Sequence, residues 1–255
     1  MNRIFALILA LSFPAYGLCS DIPPAFEDIP QTAPAVTTVN DDFPLFEEPE
    51  ILDVYDPLET INRGIFWFND KMYFYVLKPV ARVFRYTPEP LRISIKNFFL
   101  NLKTPIRMVN AGLQGKFAAA GNELTRFATN TTLGIGGFFD PAKEHFGIRM
   151  HDEDTGQTLG HYGVGPGPYV VLPFLGPSSL RDGIGLVGDT YLDLTYYIWA
   201  RDKSNYDYLG ARAVDTLNNL SLDKDTYEGV KRDALDPYLY VRDAFAQYRR
   251  NQIKN

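Results

Sequence analysis

A mainly helical fold with little or no strand, assembled from short amphipathic helices suited either to a soluble core or to a membrane surface, is what the sequence predicts. Helical periodicity dominates from residue 57 onward, whereas long alternating strand patterns are scarce. Aromatic residues make up 14% of the chain, and such rings favour places where one end is apolar and the other wet. No run of eighteen apolar residues occurs, so an ordinary spanning helix is excluded and lipid contact has to be interfacial. A soluble helical core accounts for the same composition, and the residues alone leave both open.

The 255 residues are enough for one large domain or two small ones, and 45% hydrophobic against 22% charged residues argues against wholesale disorder. A formal net charge of −6 lacks the basic footprint of a nucleic-acid binder. The single cysteine excludes an internal disulfide framework and any multi-cysteine metal site.

Residues 1–20 have the order of an export signal: Arg3, then an unbroken apolar run from Ile4 to Leu11, then Pro14 among small residues. Cys19 is the candidate lipid anchor, although Leu18 stands where a lipoprotein signal carries a small residue. Ordinary cleavage at Ala15-x-Gly17 or after Ser20 is the alternative. Residues 21–55 hold nine acidic residues, no basic residue and six prolines, which predicts a tether too poor in apolar area to offset its ordering entropy. Residues 56–255 then hold 24 basic and 22 acidic residues, so the acidity lies in the tether and the helical body is nearly neutral.

The first helix is expected to open at Asp56-Pro57 and run to Phe84, apolar around nearly its whole circumference, with Phe66, Trp67, Phe68 and Phe74 as candidate membrane-facing rings. Asn69-Asp70-Lys71 predicts a break into two arms, and Lys78-Pro79 a kink or stop. A second helix starts near Thr87-Pro88, with a kink expected at Pro105. A third covers 116–133 and ends at Gly134, Gly136 and Gly137, candidates for a hinge or a tightly packed turn. Coil with short turns is expected over 140–178. Helices then follow over 182–199, 211–220 and 236–253, the last ending in Arg249, Arg250 and Lys254, which complement the helix dipole.

Reactive constellations are weak. His145, His151 and His161 lack close metal-ligand spacing, so neither metal nor cofactor is expected. The run from Gly160 to Tyr169 lacks the Lys-Ser/Thr of a phosphate loop, and Ser178 and Ser179 sit outside any G-x-S-x-G elbow.

Several blocks together resemble one family. They are Asp56-Pro57-Leu58-Glu59 with Asn62-Arg63, Thr125-Arg126-Phe127 through Asn130 to Leu133-Gly134-Ile135-Gly136-Gly137-Phe138 and Asp140, and Thr158-Leu159-Gly160-His161-Tyr162-Gly163-Val164-Gly165. Gly167-Pro168-Tyr169-Val170, Leu172-Pro173-Phe174, Leu180-Arg181-Asp182, Asp236-Pro237-Tyr238 and Val241-Arg242 continue the series. Order and spacing across about 56–250 resemble the MlaA (VacJ) phospholipid-transport lipoproteins of the Gram-negative outer membrane. The resemblance implies a ring-like helical protein embedded in the inner leaflet of the outer membrane, with a polar channel for phospholipids that have strayed into the outer leaflet. It further implies a trimeric porin as membrane partner and a soluble periplasmic carrier as recipient. Arg181, Asp182 and Asp189 are the candidate channel-wall residues, since a helix starting near Ser179 puts 182 and 189 nearly on one face. An exported phospholipase, or a porin-associated scaffold without a lipid path, are the competing readings.

Overall fold

A computed structural model describes residues 53–200, 205–223 and 225–254. The export signal, Cys19 and nearly all of the acidic segment lie outside the described residues.

The first helix begins at Glu59, two residues later than the Asp56-Pro57 opening predicts. Its cap, Leu58, has no polar side chain, and the carboxylate of the expected cap, Asp56, is engaged instead by Asn62 and by the Tyr238 hydroxyl. Helix α1 (Glu59–Met72) passes through Asn69-Asp70-Lys71 without the expected break, then widens into a π-helical segment (Tyr73–Leu77) and returns to α-geometry as α2 (Lys78–Phe84). Asn69 and Asp70 do not interrupt the helix because they lie on its inward face: Asn69 bonds Leu172 and Phe174, and Asp70 pairs with Lys231. In the wide turn the Lys78 N–H reaches the Tyr73 carbonyl, which accommodates Pro79, a residue with no N–H for the ladder.

Helices α3 (Glu89–Leu102) and α4 (Thr104–Leu113) meet at Lys103, where Pro105 falls in the first turn of α4, so the expected kink is a clean junction. Helix α5 (Phe117–Thr132) stays within the expected limits. The region expected as coil holds α6 (Pro141–Glu144), α7 (Thr155–His161) and an antiparallel hairpin of β1 (Tyr169–Leu172) and β2 (Gly176–Ser179). Asn62 and Asn69 on α1 bond the backbone at Tyr169, Val171, Leu172 and Phe174, so α1 supplies the polar partners that a third strand would otherwise provide.

Ser179 caps α8 (Leu180–Leu192), and Asp193 caps α9 (Leu194–Trp199), dividing the expected 182–199 helix in two. Helices α10 (Asn205–Leu222), α11 (Thr226–Asp233) and α12 (Pro237–Lys254) complete the chain, and α11 is an addition to the expected set.

Neighbouring elements pack in a closed circuit. Helix α1 contacts β1, β2 contacts α12, α12 contacts α7, and α7 contacts α4. Helix α4 then meets α3, α3 meets α10, α10 meets α2, and the π-segment returns to α1. A mainly helical, ring-like connectivity follows, and no described helix is long and apolar enough to cross a membrane.

Candidate functional site

Along α4, α5 and α8 most of the buried side chains are polar and large apolar residues are exposed, whereas α3 and α12 also bury Phe99, Leu102, Tyr238 and Phe245. On α4 the buried positions are Thr104, Arg107, Asn110 and Ala111; on α5 they are Ala119, Glu123, Arg126 and Asn130, while Phe117 is 75% and Leu124 54% exposed. Helix α8 buries Arg181, Asp182 and Gly185 and exposes Leu180, Ile184, Val187 and Tyr191. Among the largest fully buried side chains are Gln157, Glu123, Asn62, Asn110 and Asn218, a composition opposite to that of a soluble core.

The inward faces join into a hydrogen-bonded seam. Arg107 pairs with Glu123 at 2.7 Å and also bonds Thr104 and the Leu100 carbonyl. One turn on, Thr158 donates to Asn110, and Gln114 bonds both Thr158 and Glu153, whose other oxygen meets Lys116. At its centre Arg249 of α12 bridges Asp154, the N-cap of α7, and Asp182 of α8, at 2.6 and 2.8 Å. Arg181 reaches Asp182 from the other side at 3.0 Å. Asp189 accepts from the Thr155 amide and hydroxyl and from Asn110.

Two carboxylates in this seam are driven apart in acidity. Burial works to raise Asp182, but the Arg249 and Arg181 guanidiniums outweigh it and hold the group below the ordinary carboxylate value. Asp189 is pushed up to about 7, first by burial and then by the nearby Asp154 charge, with the Thr155 hydrogen bonds only partly opposing. Both carboxylates face the first turn of α7, so the expectation that 182 and 189 share a face matches the geometry. Helices α7 and α8 approach so closely there that a Cβ on Gly185 would lie 2.5 Å from the Gly156 nitrogen.

Of the candidate rings, Trp67 is 62% exposed, and Phe68 is exposed but edge-on to Phe174. Phe66 and Phe74 are half-buried: Phe66 packs edge-on against Tyr238, and Phe74 lies against Tyr73 and beneath the Lys231 ammonium. Their positions on a helix buried along its polar side explain the difference, because Tyr238 and Tyr227 bring apolar area to that side.

The three glycines differ in role. Gly134 is closely packed, its missing Cβ 2.4 Å from the Asn130 carbonyl, and Gly137 combines φ of 94° with Asn101 atoms 2.6 Å away. Gly136 has φ of 71° in open space, next to Ile135, itself in the left-handed region at φ 53°.

Sequence reasoning missed the Arg249 bridge, reading that arginine as a dipole partner. Asp154, Arg107 and Glu123 were also missed. The signal was polar residues at spacings of three and four on α4 and α5, which marks a buried face only once an apolar solvent outside is assumed. Ser179 is engaged at Asp182 as both donor and acceptor, which accounts for it as a cap. Among the described residues no cluster of three or more His, Cys, Asp or Glu could hold a metal ion.

The family model described as MlaA lipoprotein matches residues 54–252. An Escherichia coli K12 protein, the intermembrane phospholipid transport system lipoprotein MlaA, is 40% identical over 201 residues, covering 75% of this chain and 76% of its own. An uncharacterized Rickettsia felis protein is 35% identical over 206 residues and 80% of each chain. A solved structure concerned with the maintenance of bacterial outer membrane lipid asymmetry superposes with a TM-score of 0.65 at 37% identity, covering 78% of this chain and 98% of the other.

Proposed function

The chain belongs to the MlaA lipoprotein family, and from that premise we propose that it is a non-enzymatic phospholipid-transport protein of the bacterial outer membrane. In this reading it takes misplaced phospholipid from the outer leaflet while seated in the periplasmic leaflet. A trimeric porin steadies it in the membrane, and a soluble periplasmic carrier receives the lipid. Export by residues 1–20 and anchoring through Cys19 at the end of the acidic tether belong to the same proposal.

The carrying observation is the inverted polarity of the helices. Apolar side chains directed outward gain by facing acyl chains, whereas a polar interior needs either internal pairing or water, and a polar path meets that need. The closed circuit of helices supplies a frame for such a path. Arg181, Asp182 and Asp189 would form its wall from behind, held by Arg249 and Thr155 and carrying the electrostatics of the lining. The Gly134–Gly137 turn would let the segment after α5 gate the path. A phospholipase reading is disfavoured by Ser179, whose hydroxyl is committed to Asp182.

Expression in a bacterium lacking its own MlaA tests the reading. The chain should restore the outer membrane's resistance to an added phospholipase, and a variant with Val at Gly136 and Gly137 should not, at equal abundance. Failure of the unaltered chain to restore resistance, with the protein present in the outer membrane, would refute the transport reading.

A further inference from the structure

The segment from Phe138 to Met150 was absorbed by neither the seam nor the circuit, yet its two sides are sharply different. From within it is bolted down: Arg126 and Asn130 hold Asp140 at 2.7 and 2.9 Å, the Ala142 amide donates to Asn130, and the His151 amide donates to Glu123. Pro141 and Ala142 are buried, and Phe138 stacks on Phe98 at 4.8 Å. Gly147, at φ 65°, closes a tight turn in which the Ile148 amide returns to the Ala142 carbonyl.

Outward, the same segment presents Phe139, Lys143, Phe146, Arg149 and Met150, all exposed, Phe146 at 60%. Arg107, Arg126, Arg181, Arg212 and Arg249 are buried and paired, whereas neither Lys143 nor Arg149 enters an ion pair among the described residues. Asp140 is consumed by Arg126, which leaves Glu144 as the segment's one carboxylate outside an ion pair among the described residues.

We propose that this rigid basic-aromatic loop is a binding surface for anionic phospholipid headgroups, with Phe139 and Phe146 entering the acyl boundary while Lys143 and Arg149 meet headgroup phosphates. The occupant follows from two features together. Rings and a thioether beside long cationic chains match the interfacial zone, where the apolar stem sinks and the charge stays at headgroup level. The loop also continues the apolar exterior at Leu133 and Ile135, so the same bilayer that covers those residues reaches it. The inference rests on the reading of that exterior as lipid-facing, and it adds a headgroup preference.

The test uses the mature chain carrying Cys19→Ala, moved from detergent into vesicles of phosphatidylcholine alone or doped with phosphatidylglycerol. The anionic lipid should raise partitioning by about fivefold for each basic side chain at the surface, and high salt should remove the gain. A Lys143→Gln, Arg149→Gln double variant should lose the preference while still binding phosphatidylcholine; Lys143→Arg should keep it and Glu144→Gln should increase it. Equal partitioning into both vesicles, or an undiminished preference in the double variant, overturns the headgroup site and leaves the lipid-facing exterior standing. No partitioning into either vesicle overturns the exterior reading and the site with it.

Discussion

Arg249 holds two carboxylates at once, with its pKa raised because the attraction of Asp154 and Asp182 outweighs the burial that works against its charge. Removing it would leave the buried Asp182 with Arg181 as its remaining guanidinium and leave Asp154, whose side chain is 31% exposed, to water, so the cost lies toward the lower end of the about 3–5 kcal/mol of a broken buried pair. Arg249→Met is therefore expected to lower the thermal midpoint in detergent sharply, and Arg249→Lys to recover only part, since one ammonium cannot reproduce the forked geometry. An unchanged midpoint in Arg249→Met would mean that the bridge does not hold α12 to α7 and α8. Asp189 makes the opposite demand. Its folded value of about 7 lies above the 3.8 of an unfolded aspartate, so the folded state binds the extra proton between those limits. Stability should then fall as pH rises through that window, by on the order of 4 kcal/mol in total, and level off above it. Asp189→Asn should flatten this slope in denaturation curves taken across the window, and a slope that persists would assign the titration elsewhere.

At the scale of elements, the glycine turn after α5 separates two kinds of constraint. Gly136→Ala meets open space and has only its left-handed backbone to satisfy, a cost of about 1–2 kcal/mol. Gly137→Ala adds a clash with Asn101 to the same backbone penalty, so it should destabilise distinctly more. Thermal denaturation of the two variants side by side checks the order, and equal midpoints would show that the Asn101 contact yields freely. The long helices were legible from periodicity because each carries a continuous apolar stripe. Helix α7 was not, since Thr155–His161 contains Gly156 and Gly160, poor helix formers, and owes its cap to Asp154, which Arg249 secures from far along the chain. The hairpin escaped for a similar reason: its backbone is completed by Asn62 and Asn69 of α1. Asn69-Asp70-Lys71 misled for the converse reason, as polarity ordinarily marks the outside of a helix and here marks the inside. Of the candidate site, the shared face of Asp182 and Asp189 could be read from their spacing, whereas Arg249 could be placed only by the packing of α12.

For the whole molecule the question is which solvent the exterior is built for. Phe117, Trp67, Ile184 and Val83 are each more than half exposed and come from four different helices, α5, α1, α8 and α2, and Leu133 and Ile135 extend the set just beyond α5, so the apolar surface belongs to the assembled molecule and not to one stray patch. Each such side chain gains on the order of 1 kcal/mol when the area it shows to water enters hydrocarbon, and the gains add over one continuous surface. An attachment of this kind should withstand ionic steps, because salt and alkali act on charges and this exterior owes little to them. The mature protein with Cys19→Ala, freed of any lipid anchor, should therefore stay with outer membranes through high-salt and carbonate washes. Replacing Trp67, Phe117 and Ile135 with Gln should release a measurable fraction while far-UV circular dichroism stays unchanged, since none of the three packs in the buried clusters. Quantitative release of the Cys19→Ala protein by carbonate would show that the helices rest on the membrane through the anchor alone, and the inverted helices would then need a protein partner to cover them.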